Sequence, residues 1–245
     1  MTLLILGGTG ETRVAADICN RLGIDAIASL AGATRSPRPL PVPTRIGGFG
    51  GTDGFSQYLN EFGISAILDT THPFASRITD RSYRVAQILG IPILRFDRPA
   101  WVPGPDDNWI NIKSEDCAAL HVAAGATVFL ATGRQTLHRF ANLSHAHLIC
   151  RQIDPPEDPF PFPNGQYMIG RPPFSERDET NLFRKHNVQY LIVKNAGGAA
   201  SRTKLDAAAN LNIPVLMIER PPSCGVISVQ TMAEVEDWLS RVFQC

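Results

Sequence analysis

Near the start of the chain, Leu3 to Leu6 form an uninterrupted apolar run, and Gly7, Gly8 and Gly10 follow at once. A run of this kind reads as a strand buried on both faces. The next residues place Val14, Ala15, Ile18, Cys19 and Leu22 at helical spacing. Strand, glycine turn and helix in that order aim backbone N–H groups and a helix N-terminus at an anion. In the pattern G-x-G-x-x-G, Gly8 and Gly10 fit, while Arg13 takes the place of the third glycine. That predicts a variant nucleotide-binding turn, the alternative being a tight βα turn without a ligand. Thr9 and Thr12 are expected to offer hydroxyl donors to phosphate.

Residues 25–30 read as the second strand. In NAD-binding domains its end carries an acid for the ribose 2′-hydroxyl, but here no acid follows and Arg35 and Arg38 do. The pattern favours a 2′-phosphate, hence NADPH over NADH; a solvated loop arginine is the plainer alternative. Prolines at 37, 39, 41 and 43 mark a stiff rim segment. A second glycine cluster, Gly47, Gly48, Gly50, Gly51 and Gly54, precedes a helix expected over residues 55–62. It suggests either backbone lying against a ligand or a mobile loop. The strand at 65–69 ends in Asp69-Thr-Thr-His-Pro73. Asp69 and His72 thus fall at a strand's C-terminal end, where open α/β sheets bind ligands. A helix over 76–89 and a strand over 93–96 complete this half.

Residues 97–111 shift to Pro, Gly and Trp, and a domain boundary is expected there. Beyond it, a helix over 114–124 precedes Thr127-Val-Phe-Leu-Ala-Thr-Gly-Arg134, an apolar strand and Thr-Gly turn that repeats the pattern of the N-terminus. The repeat suggests two similar domains, with Arg134 directed into a cleft. A strand over 147–151, a proline-rich loop over 154–165, and a helix capped by Ser175 follow. Tyr190 and Lys194 have the spacing of a dehydrogenase Tyr-x-x-x-Lys pair, but the run between them is β-branched. In a strand the two lie roughly 13 Å apart, so they form no dyad. Lys194 instead opens a third glycine turn with Gly197 and Gly198, leading to a helix over 203–211. A strand over 214–218, a short strand over 226–229 and a helix over 232–243 end the chain. The expected fold is α/β, with two Rossmann-like or flavodoxin-like parallel-sheet domains, residues 1–98 and 99–245, facing a central cleft.

Composition narrows the function. The 245 residues carry 23 basic and 23 acidic side chains, so a broad nucleic-acid or membrane surface is not expected. No window has transmembrane length. Five cysteines without a C-x-x-C pair read as reduced thiols of a cytoplasmic protein. His145 and His147 lack neighbouring ligands, so no metal site is expected. Only four of the 23 basic residues are lysine, and Arg forks suit carboxylates and phosphates.

The motifs Ile5-Leu-Gly-Gly-Thr-Gly-Glu11, Gly47-Gly-Phe-Gly-Gly51, Thr71-His-Pro-Phe-Ala75, Arg98-Pro-Ala-Trp101 and Lys194-Asn-Ala-Gly-Gly198, in that order, together with Lys204 and Ile213 to Pro221, cover nearly the whole chain. This arrangement resembles the precorrin-6A reductase family of cobalamin biosynthesis. Ala196 departs from it, since serine is expected there. The resemblance implies an NADPH-dependent oxidoreductase that saturates one C=C bond of the precorrin macrocycle to give precorrin-6B. It implies a polycarboxylate tetrapyrrole substrate and hand-over contacts with neighbouring pathway enzymes. Cofactor contacts then fall to Gly7, Gly8, Thr9, Gly10, Glu11, Thr12, Arg35, Arg38, Gly50, Gly51, Thr71 and His72. Substrate contacts fall to Arg98, Arg134, Arg171, Lys194, Gly197, Gly198, Arg202 and Lys204. Lys194, His72 and Asp69 are the expected proton donors or polarising groups. A cobalt-containing substrate and an NADPH sensor without turnover are the alternatives.

Overall fold

A computed structural model describes residues 1–32 and 38–244. The chain forms two compact units: Met1–Pro99 with Pro221–Cys245, and Ala100–Arg220. The first half of unit 1 runs β1 (Thr2–Gly7), α1 (Gly10–Leu22), β2 (Ala26–Leu30), β3 (Thr44–Ile46), α2 (Thr52–Glu61), β4 (Ile64–Asp69), α3 (Ser76–Leu89) and β5 (Ile93–Phe96). Unit 2 holds β6 (Trp109–Ile112), β7 (Thr127–Leu130), β8 (His147–Gln152), β9 (Gly165–Ile169), α4 (Glu176–Lys185), β10 (Tyr190–Lys194), α5 (Thr203–Asn210) and β11 (Val215–Ile218). The chain then returns to unit 1 as β12 (Ser228–Val229) and α6 (Met232–Phe243).

Each unit has a six-stranded sheet, with orders β12-β5-β4-β1-β2-β3 and β6-β11-β10-β7-β8-β9, and every pairing is parallel. Parallel sheets need cover on both faces. In unit 1 alternate residues of β1 supply this: Leu3 and Ile5 pack with Ala15, Ala16 and Cys19 of α1 and with Val235 and Leu239 of α6. Leu4 and Leu6 pack on the other face with Phe55 and Leu59 of α2 and Val85 and Ala86 of α3. In unit 2 Phe129, Ile149, Leu191 and Met217 meet Phe183 of α4 and Leu205 of α5.

The closing segment differs from expectation. Sequence order assigned it to the second domain, but α6 needs a partner for its apolar face and finds it beside α1. Arg21 and Glu236 join the two helices by a paired hydrogen bond of 2.9 and 2.8 Å. The helix expected at 114–124 is a 3₁₀ segment, Glu115–Leu120, and a second 3₁₀ segment, Arg134–Leu143, follows the turn after β7. The Ser175 cap is as expected, its Oγ accepting from Asp178 N at 3.1 Å. Among the described residues no helix is long and apolar enough to cross a membrane, and no group of His, Cys, Asp or Glu is placed to hold a metal ion.

Candidate functional site

Chain order reverses once in each sheet. In unit 1 β1 runs on to β2 and β3 on one side, and the chain then returns to β4 on the other. The crevice beyond the carboxyl ends of such a strand pair is where α/β sheets bind ligands. The turn Gly8–Thr12 and the turn after Asp69 meet here, with Leu6 paired to Asp69.

The hydroxyls of this crevice face inward, contrary to expectation. Thr12 is buried, and its Oγ1 accepts from Gly8 N at 3.1 Å and Thr9 N at 3.2 Å. It also pairs with Thr70 Oγ1 at 3.0 Å, and Thr9 Oγ1 donates to Thr70 O at 2.8 Å. Thr9 and Thr12 therefore hold the turn's shape and do not offer their hydroxyls to phosphate. Gly7 is required by this packing, since a Cβ there would lie 2.4 Å from Thr12 Cγ2. Gly8 has φ +133°, a left-handed conformation suited to glycine. Gly10 is different: a Cβ there would meet nothing within 4 Å. The fold itself thus does not demand glycine at the first residue of α1, and the open space lies where helix-start N–H groups are unsatisfied by the helix.

Glu11 and Arg98, expected to serve cofactor and substrate respectively, bind each other at 2.6 Å. Burial raises the Glu11 carboxyl, but Arg98 and the Thr9 hydroxyl outweigh it and hold it below the usual carboxylate range. Its Oε2 is buried without a hydrogen-bond partner.

Asp69 is corrected. It is 0% exposed, accepts from Thr71 N (2.9 Å), Thr71 Oγ1 (2.6 Å) and Thr79 Oγ1 (2.6 Å), and lies 3.6 Å from Arg95 Nη1. A carboxylate so enclosed orders the β4 turn and cannot present a proton to a ligand. Thr71 serves it. His72 Nδ1 accepts from Phe74 N at 3.2 Å, which leaves the proton of the neutral ring on Nε2.

The second glycine loop is organised by Arg45, which the sequence did not single out. Its guanidinium donates to Ser29 Oγ at 2.7 Å and to Gly47 O and Gly48 O at 3.0 Å, and lies 3.9 Å from the Phe49 ring centre. Gly50 and Gly51, at φ +74° and +102°, turn the chain into α2. Arg38 is exposed beside this region in sequence, and Arg35 lies outside the described residues.

In unit 2 the reversal falls between β7 and β10, which pair with Leu130 opposite Ile192. Arg134 is exposed in the turn after β7, and the buried Thr132 Oγ1 there has no partner. Lys194 ends β10, and Gly197 and Gly198 follow at φ +72° and +82°. Lys194 Nζ reaches Thr136 Oγ1 at 3.2 Å and Glu115 Oε1 at 3.5 Å. Burial lowers its pKa, Glu115 opposes that fall, and Arg139 adds to it. Arg202 turns away to Asp107 at 2.7 Å and Asp206 at 3.0 Å, so it is a structural cation here. Arg171 faces Asp154 at 3.7 Å.

Lys204 sits elsewhere, in a cavity of about 170 Å³ at the ends of β7, β8 and β9. Arg151 and Glu179 form a buried bidentate pair there, at 2.7 and 2.8 Å. Burial and the Arg151 guanidinium push Lys204 down to about 8, against the pull of Glu179. Between pH 8 and 10.5 the folded chain has then released a proton that the unfolded chain still holds, so stability rises with pH across that window. Relative to Lys204→Met, the wild type should gain of the order of 2 kcal/mol over this range, after allowance for solvent around the half-buried side chain. Denaturant melts of both proteins at several pH values check this, and parallel curves would refute it.

The sequence missed Arg151 and Gln152, although both close a strand, the same position that drew attention to Asp69. The proline-rich stretch after them masked the signal.

The family model described as Precorrin-6x reductase CbiJ/CobK matches residues 2–240. The precorrin-6A reductase of Rhodococcus erythropolis is 45% identical over 223 residues, covering 90% of this chain and 89% of the relative. A cobalt-precorrin-6A reductase of Priestia megaterium is 25% identical, covering 89% and 90%. A solved structure titled CobK precorrin-6A reductase superposes with a TM-score of 0.94 at 37% identity, covering 99% of this chain and 97% of that one. The chain belongs to the precorrin-6x reductase family.

Proposed function

We propose that this chain reduces one C=C bond of precorrin-6A with NADPH, giving precorrin-6B. The observation that carries the cofactor assignment is the open ground over Gly10 at the start of α1, placed at the sheet's reversal point. Helix-start N–H groups there suit a pyrophosphate, and the unpartnered Glu11 Oε2 suits a sugar hydroxyl. Gly8, Gly10 and Glu11 hold the dinucleotide in this reading, Arg35 and Arg38 its 2′-phosphate, and Gly50, Gly51, Thr71 and His72 the remaining wall. When bound, NADPH supplies the hydride. The chain's own task is to orient the acceptor carbon and to deliver a proton to its neighbour. With Asp69 enclosed and the His72 ring held neutral by the Phe74 N–H at its Nδ1, Lys194 Nζ is the donor, and its lowered pKa eases release of its proton. Arg134, Arg171, Lys194 and Lys204, with the backbone of Gly197 and Gly198, bind the side-arm carboxylates. The metal-free substrate is favoured over the cobalt form because the precorrin-6A relative is the more similar of the two.

The test is oxidation of NADPH by the pure protein with and without precorrin-6A, with NADH in parallel. Substrate-dependent oxidation favouring NADPH is expected. Joint replacement of Arg35 and Arg38 by alanine should raise the NADPH KM about tenfold and leave the NADH KM within twofold. Binding of NADPH without oxidation would favour the sensor.

A further inference from the structure

The cavity beside Lys204 holds an unexplained group. Gln152 ends β8 and is 7% exposed, and both its Oε1 and its Nε2 lack a hydrogen-bond partner. A buried amide left so is costly, because it has lost water and gained nothing. The side chain lines the cavity together with Lys204, Thr203, Arg151 and Glu179.

The charge of the cavity can be counted from its walls. Arg151 is already matched by Glu179, and its guanidinium lies between rings, 4.3 Å from the Phe174 centre and 5.0 Å from that of Phe129. Lys204 is the cation left over. It reaches Ser201 O at 2.5 Å, and its three donors leave capacity for more. The occupant called for is therefore singly charged and rich in acceptors. At about 170 Å³ the space is below the roughly 300–1,000 Å³ of a pocket for a whole small molecule. It fits the end of a flexible arm.

We infer that Gln152 and Lys204 form an anchoring subsite for one terminal carboxylate of the substrate, Gln152 Nε2 donating to one oxygen and the Lys204 ammonium to the other. This rests on the proposed polycarboxylate substrate. The amide fixes which oxygen geometry is accepted, and the ammonium rejects an amidated arm, which would bring no charge. Gln152 is a specificity-determining residue in this account.

The experiment is a titration of the ¹⁵N-labelled full chain with sodium propionate, following the Gln152 side-chain NH₂ signals, identified by their loss in Gln152→Leu. Propionamide at equal concentration is the control. Propionate should shift the signals, propionamide should not, and Lys204→Met should abolish the response. No shift, or an equal shift with propionamide, would overturn the subsite. With precorrin-6A, Gln152→Leu should raise KM about 10- to 100-fold, the value of one hydrogen bond to a charged group, with the loss in KM and not in kcat. An unchanged KM in an active enzyme would overturn the assignment. If the wild type does not turn over, the reductase reading falls and the propionate titration still decides the subsite. Gln152→Leu should also raise Tm by about 3 °C, since it removes two orphaned polar atoms without leaving a cavity. A fall in Tm would mean that the amide is satisfied in the free protein.

Discussion

Glu179→Ala should destabilise the unit Ala100–Arg220 by about 3–5 kcal/mol. The Arg151 side chain is 9% exposed and that of Glu179 1%, and the two are joined by two hydrogen bonds. Removing the carboxylate leaves a guanidinium enclosed between Phe129 and Phe174, with Lys204 as a second positive charge nearby. The penalty is that of the stranded charge, and it exceeds the net worth of the pair. A second variant separates these quantities. Replacing both partners, as Arg151→Met with Glu179→Leu, removes the charge and its countercharge together. It should cost less than Glu179→Ala alone, and comparable cases have come out neutral or stabilised. Urea unfolding of the wild type, both single variants and the double variant gives the cycle. A cost below about 1 kcal/mol for Glu179→Ala would mean that water reaches Arg151, as at exposed pairs.

The second large effect lies in the N-terminal turn. Gly7→Ala places a methyl group 2.4 Å from Thr12 Cγ2 and 2.9 Å from its Oγ1. Thr12 cannot retreat, because its hydroxyl receives two backbone N–H groups and pairs with Thr70. Overpacking of this kind costs about 1–3 kcal/mol, and loss of the hydroxyl's bonds adds to it. On the proposed assignment of NADPH to this turn, its affinity should fall at least about tenfold, since a displacement of the turn carries the α1 start with it. Adding Thr12→Ser removes the methyl at the worst contact while keeping the oxygen. The double variant should recover part of both losses. Thermal melts and NADPH titration of the two proteins would settle this; a double variant as impaired as Gly7→Ala would show that the clash is not the cause.

The first half of unit 1 was largely legible because its signals are local. A fully buried strand reads as an apolar run, and a turn reads as glycine. The strands missed, β3, β6 and β9, share a different property. They include both outer strands of the second sheet and one of the first, and they are short with mixed burial. Edge strands need little apolar surface, so the alternation that marks a strand is weak. Side-chain commitments were the least legible. Nothing near Asp69 in sequence announces Thr79 and Arg95 as its partners, and nothing near Glu11 announces Arg98, 87 positions away. Contacts of that range exist only once the sheet has formed. The glycines answer to different constraints. Gly7 answers to Thr12, Gly54 would meet Phe49 O at 1.9 Å, and Gly10 answers to neither sterics nor a left-handed φ.

The return of β12 and α6 to unit 1 has a bearing on synthesis. A ribosome emits this chain N-terminus first, and domains tend to fold as they emerge. Unit 2 is contiguous, so every strand of its sheet is available once Arg220 has left the exit tunnel. Unit 1 begins earlier and finishes later: until Val235 and Leu239 arrive, Leu3, Ile5 and Cys19 lack the cover that α6 provides. The nascent chain therefore carries a half-dressed sheet through the whole translation of the intervening 121 residues, Ala100–Arg220. A stop codon just after Arg220 would release a protein with one finished unit and one sticky one, a natural client for a chaperone.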